Sequence, residues 1–154
     1  MRLAITAFCC LIVAGLFAGC RTLPPLSRVD LSQPGWVVRQ GQALWRAKTG
    51  APEIAGELLF ASRPGETFVQ FSKDPFPMVI ARTSRKAWQI EAPMENRSYT
   101  GHGHPPARIL WFHLPGLLAH EPAPSGWSWQ TLADDHWRLS NPDTGESLEG
   151  YLNE

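Results

Sequence analysis

Cysteine is almost absent from this chain. Its three cysteines, Cys9, Cys10 and Cys20, all lie in the first twenty residues, so the rest has no thiol for a disulfide, a metal site or a nucleophile. An excess of charge of one sign is also lacking. The 14 Lys and Arg residues are balanced by 14 Asp and Glu residues, and no basic stripe supports nucleic-acid binding. A domain of this composition must be stabilised by apolar burial.

Motifs for catalysis are lacking as well. Ser128 lies in Gly-Trp-Ser-Trp, which lacks the closing small residue of a nucleophile elbow, and Asp134-Asp135 is typical of a solvated turn. His102 and His104 could share a metal ion, but zinc needs three or four ligands, and a glycine-broken loop is the alternative that we favour. The sequence therefore predicts no enzyme, no metal site and no cofactor.

The first twenty residues, MRLAITAFCCLIVAGLFAGC, carry the clearest targeting pattern. Arg2 is followed by an apolar run of signal-peptide length, which is shorter than a polar-flanked membrane span. Ala18-Gly19 fits a peptidase pocket, and Cys20 after it resembles a bacterial lipobox. This resemblance implies that residues 1–19 are a signal peptide and that Cys20 is acylated. An ordinary secretory signal with a chance cysteine is the alternative.

The lipobox resemblance also implies an address. Arg21 follows Cys20 where an aspartate would retain a lipoprotein at the inner membrane, so we expect the outer membrane, periplasmic face. Residues 20–35 contain Pro24-Pro25 and are expected to form an extended tether. Residues 36–154 are expected to form one domain, acting as a monomer.

Seven tryptophans and short alternating segments characterise the rest of the chain. Trp88 and Ile90 alternate with polar residues, as in a strand with one covered face. Arg63-Pro64-Gly65-Glu66 and the stretch from Asn141 to Gly145 are turn signals between such segments. The pattern predicts a mainly β fold, an antiparallel meander of about nine strands.

One segment departs from this alternation. Residues 105–119 begin with two prolines, which the first turn of a helix accepts, and their apolar side chains occupy every side. We expect a helix from Pro105 to Ala119 that Pro115 ends or kinks. Such a helix must be covered, so it is predicted to be a lid over one face of the sheet.

Together these stretches resemble the LolA/LolB family of lipoprotein-localisation proteins. The resemblance rests on the lipobox, the hairpin from Glu57 to Ser72, the segment Lys73-Asp74-Pro75-Phe76-Pro77-Met78, and the stretch ILWFHLPGLL. It implies an incomplete, or half, β-barrel with a helical lid and an apolar cavity for acyl chains. It also implies a soluble periplasmic carrier that supplies lipoproteins to the membrane-anchored form.

The resemblance further implies two sets of site residues. By position, Phe76 would be an exposed apolar residue that contacts the membrane, and an ordinary aromatic tucked onto the sheet edge is the alternative. Apolar residues of the strands and the lid would line the ligand cavity. This set comprises Trp45, Leu58, Phe60, Phe71, Ile80, Trp88, Ile90, Trp111, Phe112, Leu114, Leu117 and Trp137.

The same apolar residues also fit a second interpretation. They could form a dry, packed core, since protein interiors are normally filled to the density of organic crystals. The chain would then be a structural or adaptor lipoprotein of the cell envelope that docks a protein partner. The first hypothesis is a lipid- and lipoprotein-binding module that takes up acyl chains and delivers them to the outer membrane.

Overall fold

A computed structural model describes residues 24–132 and 135–153. They form nine strands in one antiparallel sheet, which confirms the mainly β prediction. The strands are β1 (Val37–Arg46), β2 (Ile54–Arg63), β3 (Glu66–Lys73), β4 (Phe76–Thr83), β5 (Ala87–Ala92), β6 (Arg97–His102), β7 (Ser128–Thr131), β8 (Trp137–Ser140) and β9 (Ser147–Asn153). A single α-helix, α1 (Leu114–Leu118), occurs in the described part of the chain, with 3-10 turns at Pro93–Glu95 and Leu110–Phe112.

The order of strands in the sheet is β6-β5-β4-β3-β2-β1-β9-β8-β7. Two meanders, β1 to β6 and β7 to β9, are joined where β9 returns to pair with β1, with Trp45 opposite Leu148. Strands β6 and β7 form the two edges, so the sheet is not closed within the described residues. Every neighbouring pair is antiparallel, as the sequence predicted.

Two turns lie where the sequence predicted them. Strand β2 ends at Arg63 and β3 begins at Glu66, and Gly65 between them has φ of +80°, which favours glycine. The carboxylate of Glu66 accepts two hydrogen bonds from the Arg63 guanidinium, at 2.9 and 2.6 Å. The loop between β8 and β9 is tied by the Asn141 side chain, whose Oδ1 accepts the backbone N–H of Asp143 at 3.0 Å.

The two faces of the sheet differ in what covers them. We call the face that carries Leu58 and Phe71 the inner face, because both side chains are fully buried there. Residues between β6 and β7 pack on it and contribute Leu110, Trp111 and Leu114 to the same core. The opposite, outer face carries the alternating polar residues, among them Gln89.

Part of the expected tether is docked on the outer face. The backbone N–H of Leu26 donates to the Gln89 side chain at 2.7 Å, and the Arg82 guanidinium donates to the carbonyl of Ser27 at 2.9 Å. Farther along, the Arg63 guanidinium lies 4.6 Å above the ring of Trp36. Residues 26–36 therefore lie against the sheet rather than forming a free spacer.

Candidate functional site

The inner face holds a cluster of three aromatic rings. Trp45 of β1, Phe71 of β3 and Trp111 of the connection between β6 and β7 contact one another, with ring centroids 5.4 to 6.0 Å apart. Edge-to-face and stacked pairs of this kind contribute roughly 0.5–1.5 kcal/mol each beyond their burial. Trp111 is 3% exposed, so its ring fills the space between the sheet and the segment that covers it.

All but one of the residues predicted to line a cavity belong to the hydrophobic core of the inner face, which we call the inner cluster. Leu58, Phe60, Phe71, Trp111, Phe112, Leu114, Leu117 and Trp137 are buried in it, and Trp45, Trp88 and Ile90 pack against it half-buried. In this structure these side chains pack in one cluster. That they line an acyl-chain cavity stays a prediction.

Ile80 was wrongly predicted to be in that set. It pairs with Gln70, whereas its neighbours Val79 and Ala81 pair with Phe71 and Val69 and point to the inner face. Ile80 therefore lies on the outer face. The run Met78-Val79-Ile80-Ala81 is apolar throughout, so its sequence has no alternation that separates the two faces.

We call residues 105–127 the cover segment. Its described hydrogen bonds all begin and end within the segment, from Ile109 N–H to Pro106 O at 3.1 Å through to Trp127 N–H to Pro124 O at 3.0 Å. The carbonyl oxygen of Ala107 accepts from Trp127 Nε1 at 2.9 Å and lies 2.6 Å from His113 Nε2, which must donate to it. The segment is thus folded on itself and held to the sheet by apolar side chains.

The helix of the cover segment is shorter than the predicted one. Ile109 is extended, with φ of −101° and ψ of 108°, and α1 spans only Leu114–Leu118. Pro105 precedes another proline, which disfavours helical backbone at that residue. Pro115 was predicted to end or kink the helix, but it lies in the first turn, where its missing N–H breaks no hydrogen bond.

Two depressions flank the cover segment. One, of about 380 Å³, lies between the segment and the inner face of β5 and β6, with Trp88, Ile90, Tyr99 and Ile109 among its apolar lining. The other, of about 590 Å³, lies at the opposite side of the segment, near Phe60. Both are within or close to the size range of small-molecule sites.

Phe76 lies at the start of β4, directly after the tight turn that follows Lys73. It pairs with Lys73 in the ladder, although prolines flank it on both sides. Its side chain is 58% exposed, so it is not tucked onto the sheet. The ladder shifts register between Phe71 and Ser72, opposite Met78, and this irregularity ends the regular strand just before the tip.

The outer face carries a buried polar cluster that the sequence pattern did not predict. Arg82 and Gln89 are buried, 7% and 2% exposed, although polar residues in an alternating strand indicate a solvated face. Arg82 forms an ion pair with Glu91, whose carboxylate also accepts from Gln89 Nε2 at 2.9 Å. Leu26 and Ser27 contact this cluster from the docked segment, and the sequence pattern did not predict that docking.

One carboxyl group near the aromatic cluster is perturbed. Burial raises the pKa of Glu146, and a hydrogen bond from Trp45 Nε1, at 3.3 Å, partly opposes this effect. Glu146 lies in the turn between β8 and β9 and so connects that turn to the inner face.

The histidine pair considered for a metal site has, among the described residues, no metal-binding geometry around it. His102 Nδ1 lies 3.3 Å from the carbonyl oxygen of Lys86, and no group of three metal-ligating side chains occurs in the described part of the chain.

Cys20, the predicted lipid-attachment residue, and the signal peptide of residues 1–19 lie outside the described residues. Among the residues that are described, no helix is both long and apolar enough to cross a membrane. Comparison of the sequence with protein-family models and with curated proteins found no match. The physical arrangement of the inner face, the cover segment and Phe76 is therefore the basis for a functional assignment.

Proposed function

We propose that this protein is a lipid-anchored module on the periplasmic face of the outer membrane that binds acyl chains of lipoproteins or other amphiphiles. In this proposal the unclosed sheet is an incomplete barrel, the cover segment is its lid, and the ligand lies between them. A soluble periplasmic carrier delivers the cargo. Phe76 contacts the bilayer during delivery, and neither a cofactor nor a covalent step is needed.

The observation that carries the proposal is the way in which the cover segment is attached. Because its described hydrogen bonds are internal, moving it away from the sheet breaks no described backbone hydrogen bond to a strand. What must be replaced is apolar contact of the buried side chains of the segment, at about 1.5–3 kcal/mol for each fully buried one; these are Leu110, Trp111, Phe112, Leu114, Leu117 and Trp127.

An acyl chain can replace that contact. Each methylene that leaves water contributes about 0.8 kcal/mol, so a chain of twelve methylenes offers roughly 10 kcal/mol, the same order as the docking of the cover segment. A chain passed directly from a carrier to this face is never exposed to water. The exchange is therefore close to balanced and reversible, as delivery requires.

A second candidate function is favoured by one observation. The rings of Trp45, Phe71 and Trp111 already fill the space beneath the cover segment. A permanently filled core is the property of an adaptor that docks a protein partner, and such a protein has no place for an acyl chain.

Ligand binding separates the two candidates. A chain of residues 21–154 retains every contact described above and is the protein to use. We expect saturable binding of dansylundecanoic acid, energy transfer from tryptophan to the dansyl group, and faster hydrogen exchange in residues 105–127 when the ligand is bound. Absence of saturable binding, together with a high melting temperature, would favour the adaptor.

Matched variants locate the ligand. Trp111→Asp places a charge beneath the cover segment and is expected to abolish binding. Trp36→Asp changes a tryptophan that lies outside the inner cluster, beside Arg63, and is expected to leave binding intact. Equal loss of binding in both folded variants would contradict a ligand between the sheet and the cover segment.

A further inference from the structure

The cover segment leaves one end of the inner face open, beside the edge strand β6. Tyr99, in the middle of β6, points to the inner face yet is 60% exposed. Next to it lies the depression of about 380 Å³, which we call the edge groove, and its strand residues all belong to the inner faces of β5 and β6. The residues lining it are Trp88, Ile90, Ala92, Glu95, Arg97, Tyr99, Pro106, Arg108 and Ile109.

The indole of Trp88, which lines the edge groove, lies against a glycine of the edge strand. Gly101 pairs with Trp88, and a methyl group at Gly101 would overlap the indole ring of Trp88. The missing side chain therefore lets the indole lie flat over β6. The same indole packs edge-on against Phe112 of the cover segment, with centroids 5.6 Å apart, so the groove ends at the boundary of the closed interior.

The rim of the edge groove is cationic. Arg97 comes from β6 and Arg108 from the cover segment, whereas Glu95 is the sole carboxylate among the residues that line the groove. Glu95 forms an exposed ion pair with Arg97 at 3.1 Å, with both side chains more than 60% exposed. Exposed pairs of this kind contribute about 1 kcal/mol or less, so an anionic ligand group can displace the Glu95 carboxylate.

We infer that the edge groove is the entrance for the ligand and that it selects an amphiphile with an anionic end. The acyl chain lies along Trp88 and Ile90, and its carboxylate or phosphate end is held by the guanidinium groups of Arg97 and Arg108. Guanidinium groups suit such oxyanions because they can donate two parallel hydrogen bonds. This inference rests on the proposed function and adds the chemical class of the ligand.

The first test compares two probes of equal length. Dansylundecanoic acid is anionic, and its primary amide is neutral but has the same chain. We expect the protein of residues 21–154 to bind the acid about tenfold more tightly than the amide. The double variant Arg97→Gln/Arg108→Gln should lose this preference and keep the affinity for the amide.

A matched pair of arginines provides the control. Arg46 and Arg138 are partly exposed and also ion-paired, to Glu53 and Glu149, but they do not line the edge groove. Arg46→Gln/Arg138→Gln removes the same net charge and should retain the tenfold preference. Loss of the preference in this control as well would overturn the inference, because a general charge effect would then explain it.

The second test blocks the groove. Ala92 is a small residue in the lining, so Ala92→Leu should weaken binding of both probes at least tenfold, whereas Ala55→Leu, on the exposed outer face, should not. Tight but equal binding of acid and amide by the wild type would overturn the anionic selectivity and leave the proposed function standing. If neither probe binds, both the anionic selectivity and the proposed function are overturned.

Discussion

Removal of the indole of Trp111 is the sharpest test of how the cover segment is held. Trp111 is 3% exposed and contacts both Trp45 and Phe71. Truncation of a buried tryptophan to alanine costs about 3–5 kcal/mol. The free energy of unfolding of a small domain is about 5–15 kcal/mol in total, so Trp111→Ala removes a large fraction of the stability.

The loss of stability in Trp111→Ala should be larger in the cover segment than in the strands. The cover segment has six buried large apolar residues, which at about 2 kcal/mol each contribute roughly 12 kcal/mol to its docking before the entropy of ordering it is subtracted. The loss of Trp111 should therefore lower the free energy of local opening of residues 105–127 below that of global unfolding. The strands, with their ladder hydrogen bonds intact, should remain protected.

Native-state hydrogen exchange measures both quantities on one sample. In Trp111→Ala we expect amides of the cover segment, such as those of Leu117 and Ala119, to exchange at least a hundredfold faster than in the wild type. Amides of β2 and β3 should change only by the global loss of stability. Trp129→Ala, which removes an indole stacked on Trp137 at 5.3 Å, is the control and should affect β7 and β8 instead. Uniform acceleration along the whole chain in Trp111→Ala would refute a separately opening cover.

Three further perturbations test other parts of the structure. Phe76→Glu should change the free energy of unfolding by no more than about 0.5 kcal/mol, since Phe76 is exposed, yet reduce ligand delivery to liposomes; unchanged delivery would discard membrane contact. Arg82→Met should cost about 3 kcal/mol in urea unfolding because it leaves Glu91 without its ion-pair partner, and should expose residues 26–36 to protease; a stable variant with the segment still protected would contradict the docking. Burial raises the pKa of Glu146, so the folded state retains its proton more tightly and loses stability as pH rises through that pKa. Glu146→Gln should therefore be the more stable protein at pH 7 but not below pH 4; an equal difference at both values would exclude this cause.

Local patterns predicted the strands and turns because each is determined by neighbouring residues. The alternation of Trp88 and Ile90 with polar residues fixed the inner face of β5, and Gly65 marked a turn that requires positive φ. The pairing of β9 with β1 brings together residues about a hundred positions apart, as in Trp45 opposite Leu148. A local sequence pattern cannot predict such a pairing.

The errors concern residues whose environment is set by distant parts of the chain. Ile80 looks like a core residue because every neighbour is apolar, and only the register with Gln70 places it outside. Arg82 looks solvated because the residues that bury it, Leu26 and Ser27, lie more than fifty positions earlier. The edge groove could not be predicted either, since it depends on how far the cover segment extends across β5.

In the proposed function, the segment docked on the outer face limits how far the domain can move from a lipid on Cys20. From Cys20 to Leu26 there are six residue steps, which span about 20 Å when fully extended. Arg82, which holds the segment, and Phe76 lie at opposite ends of β4, also about 20 Å apart. With such a lipid, these six residue steps would be barely long enough for Phe76 to contact the same bilayer. The domain would then have little freedom to reorient, and a carrier would meet it in a nearly fixed orientation.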